Sequence, residues 1–305
     1  MESLTIANRN FNQPLINLPK ALQILEISSG VFNQSLDNLP ENLEILRLQC
    51  DNLSHSLDQL PQKLYRLSLN CRNFNQPINH LPKKLEYLQI QCDNYNHSLN
   101  NLPDSLIKFL ISCEGNISFD NLPNTLKSLE IYMPTFNQPL DHLPKKLKTL
   151  YIDYGSCGFP LDHLPHELKK LTIIGINFNF PINHLPKTLK SLKIEYSHFN
   201  QSLNHLPETL QNLCMKDCFK FNQPLDKLPE NLHTFSCDKI IHPLNELPKN
   251  LNTLKILCRH FNDPIDVLPV NLKYMVIESS SFNQSLDYLP NTLESLKLKY
   301  SHSLN

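Results

Sequence analysis

Residues 136–152 read FNQPLDHLPKKLKTLYI, and nearly the same line stands at 11–27 (FNQPLINLPKALQILEI) and at 282–298 (FNQSLDYLPNTLESLKL). The Leu-Pro pair inside it recurs at Leu18, Leu39, Leu60, Leu81, Leu102, Leu122, Leu143, Leu164, Leu185, Leu206, Leu228, Leu247, Leu268 and Leu289. Ten of the thirteen intervals are 21 residues, and the others are 20, 22 and 19. A period this regular marks an array of stacked repeats, and no linker interrupts it. The sequence therefore predicts a single repeat domain over 1–305.

Counted from the leucine of each Leu-Pro pair, position +4 is leucine in all 14 copies, from Leu22 to Leu293. Positions +7 and +9 are always apolar, as in Leu25 and Ile27 or Phe109 and Ile111. Position −3 is Leu, Ile or Phe throughout, and −7 is Phe in nine copies. Apolar residues two apart in a short run fit a strand with one buried face, expected here at about +6 to +10. A helix would need apolar partners three or four residues further on, and the two prolines of FNQPLxxLP exclude a helix interior. Each copy reads as one short strand followed by an irregular, proline-stiffened return. Such a unit is too small to stand alone, so its stability has to come from stacking. In the return, the Asn of FNQ (Asn12, Asn33, Asn75, Asn137, Asn200, Asn283) is expected to form a ladder satisfying backbone groups that lack a strand partner. The Asp or Asn at −2, present in 13 of 14 copies, is expected to fix the turn into Leu-Pro.

Composition narrows the setting. A net charge of −1 and a pI near 6.9 create no global field that would recruit nucleic acid or an anionic membrane. Nine cysteines, an odd number without tight pairing motifs, point to reduced thiols and a cytoplasmic or nuclear address. The N-terminus MESLTIANRNFNQ lacks the pattern of a signal peptide. No apolar run approaches the roughly 18 residues needed to span a bilayer. The formal glycosylation sequons at Asn33, Asn96, Asn200 and Asn283 arise because Ser alternates with Pro at −4.

The line FNQPLxxLPxxLxxLxI closely resembles the FNIP repeat of social amoebae and of giant viruses that infect amoebae, and the resemblance covers nearly the whole chain. Its LPxxLxxLxI half is also similar to the short leucine-rich repeats of bacterial effectors. The resemblance implies a β-rich, leucine-rich-repeat-like right-handed solenoid of about 14 repeats of 21 residues. It would carry a parallel sheet on the concave face, an irregular Pro-rich convex side and little helix. In leucine-rich repeats the Asn precedes the apolar residue at the turn, whereas here it follows Phe, as in Phe136-Asn137, so a flatter β-helix is the alternative. Family members that join such repeats to an F-box would be substrate adaptors of a ubiquitin ligase. This chain is already in mid-repeat at 3–6, where SLTI matches SLKI at 191–194, so that activity is not carried over.

Few constellations suggest chemistry. Cys50, Cys71, Cys92 and Cys113 share position +11, as does Cys258, and a straight column cannot converge tetrahedrally on zinc. They read as small buried hydrophobes. His80, His142, His163, His184 and His205 share position −1, an exposed turn site that also accepts Asn, Asp, Gln, Lys and Tyr. No Gly-rich phosphate loop, HExxH or G-x-S-x-G is present, so neither an enzyme nor a cofactor or metal site is expected. If +7 and +9 point inward, +6, +8 and +10 point out. The outward residues Tyr87, Gln89, Gln91, Tyr132, Tyr151 and Asp153 are the candidate partner-binding set, since tyrosines backed by amides suit protein recognition. The reading is a non-enzymatic protein–protein interaction scaffold, with a ubiquitin-ligase substrate receptor lacking its own F-box as the alternative. Where intervals of 22 and 19 adjoin, residues 214–244 are expected to be the softest internal segment.

Overall fold

Two apolar side chains two residues apart share one face only in extended backbone, and the chain is extended wherever that pair occurs. A computed structural model describes residues 1–153, 155, 158–238, 244 and 246–300; among them are fifteen strands and no helix. Of the segment 214–244 singled out by its irregular spacing, residues 239–243 lie outside the described residues.

The chain falls into two compact units, Met1–Tyr154 and Gly155–Asn305. The first is a β-solenoid of strands β1 (Ser3–Ala7), β2 (Ile24–Ser28), β3 (Ile45–Cys50), β4 (Arg66–Cys71), β5 (Tyr87–Gln91), β6 (Lys108–Ser112), β7 (Ser128–Tyr132) and β8 (Thr149–Asp153). The second contains β9 (Lys170–Ile174), β10 (Ser191–Glu195), β11 (Asn212–Lys216), β12 (Thr234–Cys237), β13 (Thr253–Ile256), β14 (Tyr274–Glu278) and β15 (Ser295–Lys299). Within each unit every strand pairs in parallel with the next, and equal repeat positions meet, as Leu67 meets Leu88 and Leu192 meets Leu213. Strands therefore begin at +6, as the apolar spacing requires, and from β2 to β14 positions +7 and +9 form two columns of buried side chains.

Three devices hold the return path. First, the backbone N–H of the +4 leucine donates to the carbonyl of the Leu-Pro proline in all fourteen copies, at 2.9–3.1 Å. That bond turns the chain and drops the leucine into the core. Second, the −7 rings stack from copy to copy. Phe74 and Tyr95 lie 6.4 Å apart at 2°, Phe178 and Phe199 5.8 Å apart at 7°, and Phe199 and Phe221 6.3 Å apart at 4°. Where −7 is Gly115, Phe119 at −3 supplies the bulk and meets Phe136 edge-on at 5.3 Å. Gly115 has no alternative, because a Cβ there would stand 2.7 Å from the Tyr95 carbonyl oxygen.

Third, the asparagines form the expected ladder. The backbone N–H of Asn33 donates to Asn12 Oδ1 at 2.9 Å, that of Ser54 to Asn33 Oδ1 at 2.9 Å, and that of Asn283 to Asn262 Oδ1 at 2.8 Å. The neighbouring glutamine braces the same rung: Gln201 Nε2 reaches the Asn179 carbonyl at 3.0 Å and Gln284 Nε2 the Asn262 carbonyl at 2.8 Å. These bonds supply what a ladder of strands would otherwise supply to this side of the repeat. The turn into Leu-Pro differs from expectation. In the serine-bearing copies the −4 hydroxyl, not the −2 side chain, accepts the nearby N–H, as Ser35 does from Asp37 at 3.1 Å and Ser202 from Asn204 at 3.2 Å. Two of the −2 carboxylates reach to the following copy, where Asp58 meets His80 at 3.1 Å and Asp162 meets His184 at 3.2 Å, while Asp120 and Asp287 accept from the Ser118 and Ser285 hydroxyls of their own turns.

Candidate functional site

Strands alternate their side chains, so burying +7 and +9 leaves +6, +8 and +10 on an outward face. On β5 to β8 that face is half-buried rather than freely solvated, because neighbouring side chains lie across one another. On β5, Tyr87 Oη donates to Gln89 Oε1 at 2.9 Å, and Gln89 Nε2 donates to Gln91 Oε1 at 2.9 Å. Ser68 Oγ on β4 donates to the same Gln89 oxygen at 3.0 Å. On β7 and β8, the Tyr132 and Tyr151 rings approach to 4.8 Å between centroids, tilted by 35°. Asp153 sits beside them in register with Tyr132.

The expected residues thus form two groups, one on β5 and one on β7–β8. What joins them is a charged pair that the sequence reading passed over. Lys108 Nζ on β6 lies 6.0 Å from the Tyr87 ring centroid and 2.6 Å from Glu130 Oε1, while Tyr132 Oη donates to Glu130 Oε2 at 3.3 Å. On the other flank the Arg66 guanidinium lies 4.2 Å over the Tyr87 ring. Arg66, Lys108 and Glu130 occupy the same outward phases as the tyrosines and amides, so the signal was present in the spacing. Burial, with Tyr151 and Glu130 nearby, pushes the Tyr132 hydroxyl above its ordinary range, so it stays a hydrogen-bond donor at neutral pH.

Next to this face lies an open polar groove of about 630 Å³ along the C-terminal ends of the first strands, walled by Gln49, Asn70, Gln91, Asp51, Arg72 and Asp93. Arg72 Nε and Asp93 Oδ2 pair across it at 3.1 Å. A smaller depression of about 270 Å³ adjoins it and includes Glu26, Arg47, Ser68, Gln89 and Gln91, with Glu26 and Arg47 paired. Gln91 borders both. The surface offers amides, hydroxyls and compensated charge, which suits recognition of another polar surface more than of an apolar ligand.

The columns identified by spacing are also located. Cys50, Cys71, Cys92 and Cys113 are buried, and Cys258 is half-buried. The turn histidines are exposed. Among the described residues no three His, Cys, Asp or Glu side chains converge as metal ligands, and no helix is long and apolar enough to cross a membrane.

Residues 261–301 match the FNIP repeat family. No curated protein sequence matches the chain. Among solved structures, CroV588 of a giant virus, described as a novel circular leucine-rich-repeat protein, is 31% identical with a TM-score of 0.77. The match covers 96% of this chain and 49% of that one, so the chain spans about half the length of CroV588. YopM from Yersinia enterocolitica superposes with a TM-score of 0.58 at 24% identity, over 92% of this chain and 65% of that one. An internalin, InlF, from Listeria monocytogenes gives 0.57 at 17% identity, over 93% and 82%. The last two show the fold alone. The segment matched at 261–301 is one stretch of the same repeat that runs from Phe11 onward. With its parallel strands, stacked phenylalanines and asparagine ladder, the chain is an FNIP-repeat protein of leucine-rich-repeat-like architecture.

Proposed function

We propose that the chain is a non-enzymatic intracellular scaffold that holds a protein partner on the outward strand face of its first unit. Leucine-rich-repeat-like folds typically serve protein–protein interaction. The observation that supports the choice of face is the continuous run Arg66–Tyr87–Lys108–Glu130–Tyr132–Tyr151, in which aromatic rings are already fixed by charged neighbours. Rings held in place before binding lose little freedom on binding, so they can act as anchors.

The test is affinity purification with the full chain, followed by measurement of the captured partner's affinity for two double variants. Tyr132→Ala with Tyr151→Ala, and Gln89→Ala with Gln91→Ala, should each weaken binding at least about tenfold while the circular dichroism spectrum is unchanged. Undiminished affinity in both would overturn the choice of face. The same purification addresses the ubiquitin-ligase reading: ligase subunits retained alongside the partner would favour a substrate receptor over a simple scaffold.

A further inference from the structure

Position +11 in the first unit holds four consecutive cysteines, and two of them differ from the rest. Strands β3 and β4 each run six residues, one more than the other strands of the unit, because Cys50 and Cys71 remain paired in register. Their sulfurs are in direct contact at 2.7 Å. In-register residues of neighbouring strands stand about 4.8 Å apart, inside the roughly 4.4–6.8 Å range of Cα separations that a disulfide spans. Cys92 and Cys113 continue the column, but without a sulfur–sulfur contact of this kind among the described residues.

The pair is also placed to react. Cys50 forms part of the wall of the polar groove, beside Asp51 and Arg72, while Cys71 lies behind it and is fully buried. The hydrogen bond with Cys71 holds the Cys50 thiol below its ordinary value, while that same contact and burial push the Cys71 thiol up, and burial pushes the Cys92 thiol up to about 12. Cys50, at 3% exposure the residue of the pair that borders the groove, is therefore the attacking partner, and Cys71, at 0%, the resolving one.

We propose that Cys50 and Cys71 are a redox modification site, joined reversibly into a disulfide by small organic disulfides that enter the groove. The Cys50 thiolate attacks one sulfur of the reagent, forming a mixed disulfide and releasing one thiol. Cys71 then gives up its proton and attacks the Cys50 sulfur, releasing the second thiol. The protein dithiol loses two electrons and two protons, and the reagent disulfide gains both to become two thiols. The reverse exchange with a dithiol reduces the bridge and returns both thiols.

The experiment treats the full, folded chain with 2-hydroxyethyl disulfide, blocks free thiols under denaturing conditions, and maps the peptides by mass spectrometry. The expected product links the peptides containing Cys50 and Cys71 with the loss of two hydrogens, and dithiothreitol restores both thiols. Cys71→Ser should instead retain the hydroxyethylthiol adduct on Cys50, and Cys92→Ser should leave the cross-link unchanged. The wild-type measurement does not depend on any variant folding. Recovery of both cysteines as free thiols from oxidised, still-folded protein would overturn the proposal. So would a stable adduct on wild-type Cys50 without the cross-link, or an equal yield of Cys71–Cys92 product.

Discussion

Strand β4 leaves its sheet directly through the buried Cys71, whereas β11 leaves through Asp217 and only then reaches its core cysteine, Cys218. In both cases the next ring is set by the same turn: Phe74 N–H donates to the Cys71 carbonyl at 2.9 Å and Phe221 N–H to the Cys218 carbonyl at 3.0 Å. The difference is one residue, the extra one in the 22-residue interval before Leu228. It is absorbed at the strand exit, where Asp217 takes a left-handed conformation with φ of 56°. A residue with a Cβ is strained there. The return path beyond it is undisturbed, since Asn222 N–H still donates to Asn200 Oδ1 at 2.8 Å across 22 residues. The array thus tolerates a change of length at the strand end and preserves the asparagine ladder. The cost falls on Asp238 of the next copy, whose Oδ2 accepts the Asp217 N–H while its Oδ1 is buried with no partner among the described residues.

The largest expected effect lies in the regular part. Leu147 is fully buried, and Leu147→Ala should remove about 2–5 kcal/mol of stability through the cavity it leaves. Chemical denaturation reads this directly, and an unchanged midpoint would mean that the regular copies are not close-packed.

The irregular part should respond to pH. Burial raises the Asp238 carboxyl from 3.8 to about 6 in the folded chain. The fold then binds that proton more tightly than the unfolded chain does, so this contribution favours folding at low pH and is lost as pH rises through about 6. Asp238→Asn keeps an oxygen for the Asp217 N–H and removes the charge. Solvent screening of the carboxylate's exposed part reduces the effect, so the substitution should stabilise the protein by about 1–2 kcal/mol at pH 7.5 and by almost nothing below about pH 4. Stability curves for the two proteins that stay parallel across this range would place the strain elsewhere.

Hydrogen exchange compares the two regions within one molecule. Strands β12 and β13 have four residues each, against five or six in the first unit, and Cys237 fills a core position that other copies give to Ile, Leu or Met. Amides beside Phe235 are expected to exchange at least about tenfold faster than those beside Leu150, a local difference near 1.4 kcal/mol. Equal protection would show that the irregular copies pack as tightly as the regular ones. The smallest effect is reserved for His142→Asn at an exposed turn, expected to change stability by less than about 0.5 kcal/mol.

The strand positions were legible because an apolar pair at +7 and +9 has only one extended solution. The asparagine ladder was legible because a polar residue repeated at a fixed phase needs a repeated partner. What was not legible depended on geometry between copies. Spacing showed that Lys108 and Glu130 face outward, but not that they connect Tyr87 to Tyr132. It showed a column of thiols, but not that the Cys50 and Cys71 sulfurs touch. The −2 acids were assigned to their own turn, yet Asp58 and Asp162 turn toward histidines 22 residues later.

The asparagine ladder also bears on how such a chain can change length over generations. Each rung accepts from the copy after it and donates to the copy before it, so both sides of a copy are the same interface seen from opposite directions. A duplicated 21-residue cassette therefore arrives with its junctions already made, and a deleted one leaves matching ends behind. Copy number becomes a freely adjustable dimension of the molecule. Gain of a single residue is a different event, and the one before Leu228 is taken up where the strand ends, at the left-handed Asp217.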